Sequence, residues 1–349
     1  MISKGKIVGV PTNIITGFLG VGKTSAILHL MKNKPENERW AVLVNEFGEI
    51  GVDGSLFEGH RHQAEGVYIR EVPGGCMCCA AGLPMQIALN QLLHEAKPDR
   101  LLIEPTGLGH PKEVLEVLST EHYRDVLSLN QTLTLVDARK LSDPRYTNHE
   151  TFNQQIAIAD RVIGNKVDLY EENDRQALRD YVANHGNKAG VEGIEQQVVF
   201  AQHGNIDAAY LVGATAGISH CHHHDHHHSS HSHSHSHSHS HKLLASDLPI
   251  PASGFIKAMN QGEGYRSVGW RFKPEIIFDR VKIDALLAEV CAERIKGVFV
   301  TDDGYVGYNA TKEGVTKTEL GACPESRVEF IADTLDDSLE SKLFACVVK

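Results

Sequence analysis

Residues 17–24 read GFLGVGKT, which fits the pattern G-x-x-x-x-G-K-[ST] of a phosphate-binding loop. An apolar strand is predicted before this loop at residues 13–17, and a helix after it at residues 23–32. Lys23 would reach the β- and γ-phosphates as a catalytic residue, and the Thr24 hydroxyl would ligate Mg²⁺. A glycine-rich turn without a ligand is the alternative. The predicted nucleotide contacts here are Gly17, Gly20, Val21, Gly22, Lys23, Thr24 and Ser25.

Apolar strand-like runs alternate with helical stretches through the first two hundred residues, which is typical of a mainly parallel sheet with crossover helices. The fold class predicted for this part is therefore α/β, a P-loop NTPase domain. The further predicted strands are at residues 41–45, 67–72, 101–104, 132–137, 162–165 and 197–201. The further predicted helices are at residues 83–96, 112–118 and 172–184.

Residues 219–242 form a tract of mostly Ser and His that holds 13 of the 22 histidines. Such a polar tract cannot bury a core, so we predict a flexible linker there. It separates a P-loop domain at residues 1–218 from a small α+β domain at residues 243–349. The elements predicted in the second domain are strands at residues 265–272, 297–301, 305–309 and 327–331 and helices at residues 282–292 and 338–347.

Composition excludes several classes of protein. Lys and Arg number 34 against 45 Asp and Glu, a net charge of −11, which argues against a nucleic-acid binder. No apolar run approaches the roughly 18 residues of a membrane span, and the first residues do not resemble a signal peptide, so we expect a cytoplasmic protein. Seven cysteines, three of them at residues 76–79, favour reduced thiols over a disulfide framework.

Two motifs follow the phosphate-binding loop in an order typical of GTP-binding proteins. LLIEPTG at residues 101–107 is a strand that ends in Glu104, a candidate Mg²⁺ partner and catalytic acid, and Gly107 could offer its N–H to the γ-phosphate. NKVD supplies Asn165, Lys166 and Asp168, and an Asp carboxylate can accept two hydrogen bonds from guanine that adenine cannot donate. A helix cap or a solvated charge for the acid and a simple turn for NKVD are the alternatives.

GGCMCC at residues 74–79 places Cys76, Cys78 and Cys79 close enough to bind one ion such as Zn²⁺. Buried structural cysteines and a redox dithiol are the alternatives. Residues 46–82 lie where a nucleotide-dependent switch is expected. This interval also contains Glu46 and Asp53, which would position Mg²⁺ or the attacking water. The alternative is that both are simply solvated charges. Weak metal sites are predicted in the tract at His222, His223, His224, His226, His227 and His228.

With GFLGVGKT, NEFGEIGVD, GGCMCC, IEPTGLGHP and NKVD in this order, the chain resembles the CobW-type metallochaperone GTPases, and most closely their YeiR-type zinc-binding branch. The stretch from residue 269 to ERIKGVFV at residues 293–300 resembles the C-terminal domain of the family. The resemblance implies that GTP is hydrolysed and that Zn²⁺ is carried by the three cysteines to a client metalloprotein. The loop AQHG at residues 201–204 departs from the usual second guanine loop.

These observations lead to the hypothesis of a zinc chaperone in which GTP and Mg²⁺ order the switch and hydrolysis releases Zn²⁺ to a client zinc-dependent protein. A nickel or cobalt insertase, a metal storage protein with a structural nucleotide site, and a redox switch remain alternatives. Whether the chain forms an oligomer that depends on nucleotide or metal is left open.

Overall fold

The computed structural model describes residues 7–45, 66–72, 83–186, 197–216, 248–262, 264–312 and 314–348. Its first part is built on an eight-stranded sheet in the order β3-β2-β4-β1-β6-β7-β8, with β5 also pairing with β1. All of these pairings are parallel. The strands are β1 Val10–Gly17, β2 Trp40–Asn45, β3 Val67–Val72, β4 Arg100–Glu104, β5 Leu127–Leu129, β6 Leu133–Val136, β7 Arg161–Gly164 and β8 Val198–Phe200.

Helices cover both faces of this sheet, so neighbouring residues of its strands enter two separate cores. Ile15 and Leu102 pack into one core, whereas Ile14 and Leu101 pack into the other. Strands that are buried on both faces are expected when crossover helices join parallel strands. The helices are α1 Lys23–Lys32, α2 Leu83–Ala96, α3 Pro111–Leu118, α4 Glu121–Arg124, α5 Pro144–Thr147, α6 Glu150–Ala157 and α7 Asp174–His185.

The order of the strands determines where a ligand can bind. The strand β1 lies between β4 and β6, so the chain crosses to opposite sides of β1 as it builds the sheet. In open α/β sheets, ligands bind beyond the carboxyl ends of the strands at such a reversal. The loop that leaves β1 after Gly17 is therefore at the expected position for a ligand site, and the predicted α/β P-loop fold is confirmed.

The second part is a six-stranded antiparallel sheet in the order β13-β12-β11-β14-β10-β9. Two helices pack on one face and enclose a core that includes Trp270, Phe299 and Leu343. The predicted closing helix at residues 338–347 is shorter than expected, because Val347 forms a β-bridge with Phe278 instead. The elements are β9 Phe255–Gly262, β10 Tyr265–Phe272, α8 Arg280–Glu289, β11 Arg294–Thr301, β12 Gly304–Thr311, β13 Gly314–Leu320, β14 Ser326–Ala332 and α9 Leu339–Phe344.

The opposite face of the antiparallel sheet packs against the first part of the chain. Tyr265 of β10 and Ile331 of β14 belong to the hydrophobic core of the parallel sheet rather than to their own. The ring of Tyr265 lies 6.5 Å from that of Phe18, which is in the loop after β1. The antiparallel sheet is thus positioned directly over the expected ligand site. Within the described ranges, no helix is long and apolar enough to cross a membrane.

Candidate functional site

The backbone from Gly17 to Gly22 takes a positive φ at three glycines, and at two of them a Cβ would also be in steric conflict with a neighbour. Gly17 has φ 144° and Gly22 has φ 97°, both in the region that side chains with a Cβ rarely adopt. A Cβ on Gly17 would lie 2.5 Å from the Leu135 carbonyl oxygen, and one on Gly22 would lie 2.6 Å from Asn165 Nδ2. The loop therefore packs directly against the neighbouring strand ends, so its N–H groups are held in one arrangement.

Replacing Gly22 by alanine should destabilise the protein more than the backbone conformation alone requires. The unfavourable φ should lower the free energy of unfolding by about 1–3 kcal/mol, and the contact with Asn165 should add to that loss. Gly304→Ala is the matched control, since Gly304 has φ 105° and a Cβ added there would meet nothing within 4 Å. Denaturant unfolding would measure both variants, and equal losses would contradict the packing described for Gly22.

Lys23 is buried at the start of α1 and its ammonium donates to the carbonyl oxygens of Gly17 at 2.9 Å and Phe18 at 3.2 Å. Desolvation lowers the pKa of Lys23 to about 8, Glu104 opposes that shift, and Arg294 adds to it. A nearby anion strongly stabilises the protonated form of a buried cation whose pKa has been lowered in this way. The site is therefore suited to a negatively charged ligand.

Thr24 and Glu104 come together at the side of this loop that faces β4. The Thr24 hydroxyl donates to Glu104 Oε1 at 3.4 Å, and Glu104 is 2% exposed at the end of its strand. A hydroxyl and a carboxylate are oxygen donors of the kind that Mg²⁺ prefers, together with phosphate oxygens. The residues present thus fit a magnesium ion. A Cβ on Gly107 would lie 3.1 Å from Lys23 Nζ, so the loop after β4 also adjoins the lysine.

Asn165 connects three loops around the site. Its Nδ2 donates to the Val21 carbonyl oxygen at 2.8 Å, and its Oδ1 accepts from the Gly204 N–H at 3.2 Å. A Cβ on Gly204 would lie 2.6 Å from the Ala26 backbone nitrogen, so the AQHG loop packs closely on α1. The sequence motif assigned Asn165 only to the base, whereas the structure gives it the additional role of fixing the phosphate-binding loop relative to the NKVD and AQHG loops.

A cavity of about 270 Å³ lies beside this junction. The exposed Asp168 lines it, as does Lys166, whose ammonium is 3.6 Å from Asp137 Oδ2. Strands β12 and β13 of the antiparallel sheet form another wall, a contribution that the sequence did not predict. The lining residues are Gly20, Gly22, Ser25, Asn165, Lys166, Asp168, Leu169, His203, Asn309, Thr311, Gly314, Val315 and Thr316.

The remaining predicted site residues lie outside the described part of the chain. They are Glu46, Asp53, Cys76, Cys78, Cys79, His222, His223, His224, His226, His227 and His228. Among the residues that the structure describes, no group of three or more His, Cys, Asp or Glu side chains is placed to hold a metal ion. The predicted zinc ligands therefore stay a prediction from sequence.

Comparison with known proteins finds one matching family model and several similar proteins. The family model of the CobW/HypB/UreG nucleotide-binding domain matches residues 11–191. The zinc chaperone YeiR of Escherichia coli K12 is 39% identical over 344 residues, which cover 95% of this chain and 96% of that protein. The zinc chaperone CobW of Sinorhizobium sp is 29% identical over 62% of this chain and 64% of its own length. The crystal structure of Zn(II)-bound YjiA GTPase from E. coli is 18% identical and aligns over 98% of this chain and 99% of its own, with a TM-score of 0.43.

Proposed function

The chain belongs to the CobW/HypB/UreG family and is a GTPase, and on this basis we propose that it is a zinc chaperone in which GTP hydrolysis gates the transfer of Zn²⁺ to a client metalloprotein. The observation that carries the proposal is the convergence of Lys23, Thr24 and Glu104 in one buried site at the switch point of the sheet. Zinc enters the proposal through the relatives that are named zinc chaperones and through the three clustered cysteines.

In this proposal the phosphates of GTP lie along the loop from Gly17 to Ser25, where backbone N–H groups and the N-terminus of α1 favour anions. Lys23 gives up its contacts with loop carbonyl oxygens for the β- and γ-phosphates. Thr24 and Glu104 would hold Mg²⁺, which supplies charge neutralisation at the phosphates when it is bound. Because these residues act by position and charge alone, slow turnover in the absence of a partner is expected.

Asp168 is the proposed guanine reader, since it lines the cavity next to the phosphate-binding loop. Replacing it by alanine should weaken GTP binding by about 10- to 100-fold, because two hydrogen bonds to a carboxylate are lost. Binding of ATP should change little. Competition titrations with both nucleotides would measure this, with Glu172→Ala as the control for an exposed carboxylate nearby. Equal effects on GTP and ATP would reject the assignment.

Zinc gating is proposed from the position of the cysteines along the chain. Cys76, Cys78 and Cys79 lie between the phosphate-binding loop and the Glu104 strand, the interval in which nucleotide-hydrolysing domains keep their switches. Glu46 and Asp53 lie in the same interval, so ordering it around GTP and Mg²⁺ would move both groups together. The histidine tract would act as a set of weak sites that collect Zn²⁺ without holding it.

The proposal also includes the domain boundaries, the client and the cellular compartment. The boundaries are those drawn from the tract, with the GTPase domain at residues 1–218 and the C-terminal domain at residues 243–349. The client is a zinc-dependent metalloprotein, met in the cytoplasm, where thiols stay reduced.

The experiment that tests the proposal measures zinc release from protein loaded with one Zn²⁺. A colour-forming chelator added in excess should take zinc slowly in the presence of a non-hydrolysable GTP analogue and faster once GTP is hydrolysed. The control is Lys23→Ala, in which GTP should no longer accelerate release. If GTP, the analogue and GDP gave one release rate, a storage protein with a structural nucleotide site would be the better account.

A further inference from the structure

The strand β11 of the antiparallel sheet, whose sequence begins RIKG, contacts the phosphate-binding loop directly. The Lys296 ammonium donates to the Thr24 hydroxyl at 2.9 Å in a buried environment. A Cβ built on Gly20 would lie 3.1 Å from Thr311 Cγ2 of β12 and 4.0 Å from the Glu293 carbonyl oxygen. The antiparallel sheet is therefore part of the wall of the proposed nucleotide site.

Three cations and two carboxylates are buried where the two sheets meet. Their exposed fractions are Lys23 5%, Glu104 2%, Arg294 6%, Lys296 3% and Glu329 2%. Glu104 acts electrostatically on Lys23, and Glu329 is the cross-strand neighbour of Lys296. Among these described residues, each lysine thus has a carboxylate beside it, and Arg294 is the cation that remains.

Arg294 is placed differently from the two lysines. It is opposite Ile331 in the strand register, and Nη2 of its guanidinium is buried with no hydrogen-bond partner among the described residues. The adjacent Glu293 is already engaged with Arg145 at 3.4 Å and with Lys312. Arg294 is on the strand whose Lys296 contacts Thr24, the residue after Lys23, and its charge helps to lower the pKa of Lys23. Burying an unpaired guanidinium is unfavourable unless an anion joins it.

The position of Arg294 on its strand indicates which part of the proposed nucleotide site it faces. The cavity beside Asp168 is lined by β12 and β13, and Arg294 is not among its lining residues. Arg294 is on the next strand, β11, two residues before the Lys296 that bonds Thr24. Residues two apart on a strand point to the same face, so Arg294 and Lys296 both face the loop. Arg294 therefore lies towards the loop that is proposed to bind the phosphates of GTP, and away from the cavity that is proposed to bind the base.

We propose that Arg294 binds the terminal phosphate of GTP, with Lys296 docking β11 on the phosphate-binding loop as a positioning residue. This inference rests on the proposed GTP site. A planar guanidinium is suited to phosphate oxygens, which accept two parallel hydrogen bonds from it. GDP lacks the phosphate that Arg294 binds, so the contact distinguishes GTP from GDP. It also ties the antiparallel sheet to the nucleotide state, because Arg294 is part of that sheet.

The test uses the full-length Arg294→Met protein, in which much of the length of the side chain is kept and the charge is removed. Affinities for GTPγS and GDP would be measured at fixed Mg²⁺ by displacement of a fluorescent GDP derivative. We expect GTPγS to bind about 10- to 100-fold more weakly, the loss of a hydrogen-bonded charge, and GDP to change less than about threefold. Arg294→Lys should retain part of the GTPγS affinity. Arg266→Met, an exposed arginine in the same sheet, is the matched control and should change neither.

Thermal melting of the nucleotide-free protein separates this role from a structural one. Arg294→Met removes a buried charge whose Nη2 has no partner among the described residues, so it should melt no lower than the wild type. Equal loss of GTPγS and GDP affinity, unchanged affinities, or a melting temperature several degrees lower would each overturn the assignment. If the wild type itself did not bind GTPγS, the proposed function would fail, an outcome distinct from failure of Arg294 alone.

Discussion

GTP hydrolysis should fall by about 100- to 1,000-fold when Lys23 is replaced by alanine, the effect typical of losing a group that stabilises charge in the transition state. Lys23 is buried at the first residue of α1, and its ammonium is held by the carbonyl oxygens of Gly17 and Phe18. The side chain is thus confined to the loop in which the phosphates are proposed to bind. Phosphate release under saturating GTP would measure the rate.

Lys32→Ala provides the control for this measurement. Lys32 is exposed in the last turn of the same helix, so its removal changes the charge of α1 by the same amount without touching the loop. Its rate should stay within about twofold of the wild type. A Lys23→Ala protein that hydrolysed GTP at the full rate would show that the reaction takes place elsewhere, and the assignment of the loop would have to be abandoned.

Zinc affinity should fall by at least about 1,000-fold when Cys76, Cys78 and Cys79 are all replaced by serine. Thiolate ligands supply most of the binding energy of a sulfur-rich zinc site, and apparent binding free energies of about 10–16 kcal/mol are known for structural sites of this kind. Serine hydroxyls are poor ligands at neutral pH. Chelator competition in protein that lacks residues 219–242 would measure the loss without interference from the histidines.

Cys291→Ser is the matched control, because Cys291 is an exposed free thiol of the C-terminal sheet domain. Its removal should leave zinc affinity unchanged. Tight binding that survived in the triple variant would place the zinc site elsewhere in the chain. Loss of tight binding in Cys291→Ser would also contradict the assignment of zinc to the three clustered cysteines.

Local sequence patterns were sufficient for several elements of both sheets and their helices. The predicted helices at residues 23–32 and 83–96 and the predicted strand at residues 265–272 have the observed bounds. In each case an apolar periodicity coincides with a clear boundary, such as Gly22 before α1. The order of the motifs then placed Lys23, Thr24 and Glu104 together, because parallel strands end at one edge of a sheet.

Elements with little apolar surface were missed for a physical reason. The strands β9 and β13 are at the two edges of the antiparallel sheet, and β13 is largely exposed, so it lacks the alternation that marks a strand. The helix α6 has the mostly polar sequence ETFNQQIA, in which too few apolar residues are present to reveal a period. These elements form because of tertiary packing, which a local pattern does not record.

The contribution of the antiparallel sheet to the site also could not be predicted from the sequence. Arg294 and Lys296 are separated from the phosphate-binding loop by about 270 residues, and nothing in RIKG alone indicates an anion. Two charged residues at alternate positions of a strand usually mark a solvated face. Here that face is buried against the first domain, and only the fold brings the charges to Thr24. Asn165 was found by its motif, but its hydrogen bonds to Val21 and Gly204 required the structure.

The proposed coupling between nucleotide and zinc is tested most directly by one equilibrium measurement. The zinc affinity of protein lacking residues 219–242 would be determined by chelator competition, once with GDP and once with a non-hydrolysable GTP analogue. We predict that the two affinities differ by about 5- to 150-fold, and linkage then requires zinc to change the nucleotide affinities by the same factor. Equal zinc affinities in the two nucleotide states would contradict the account.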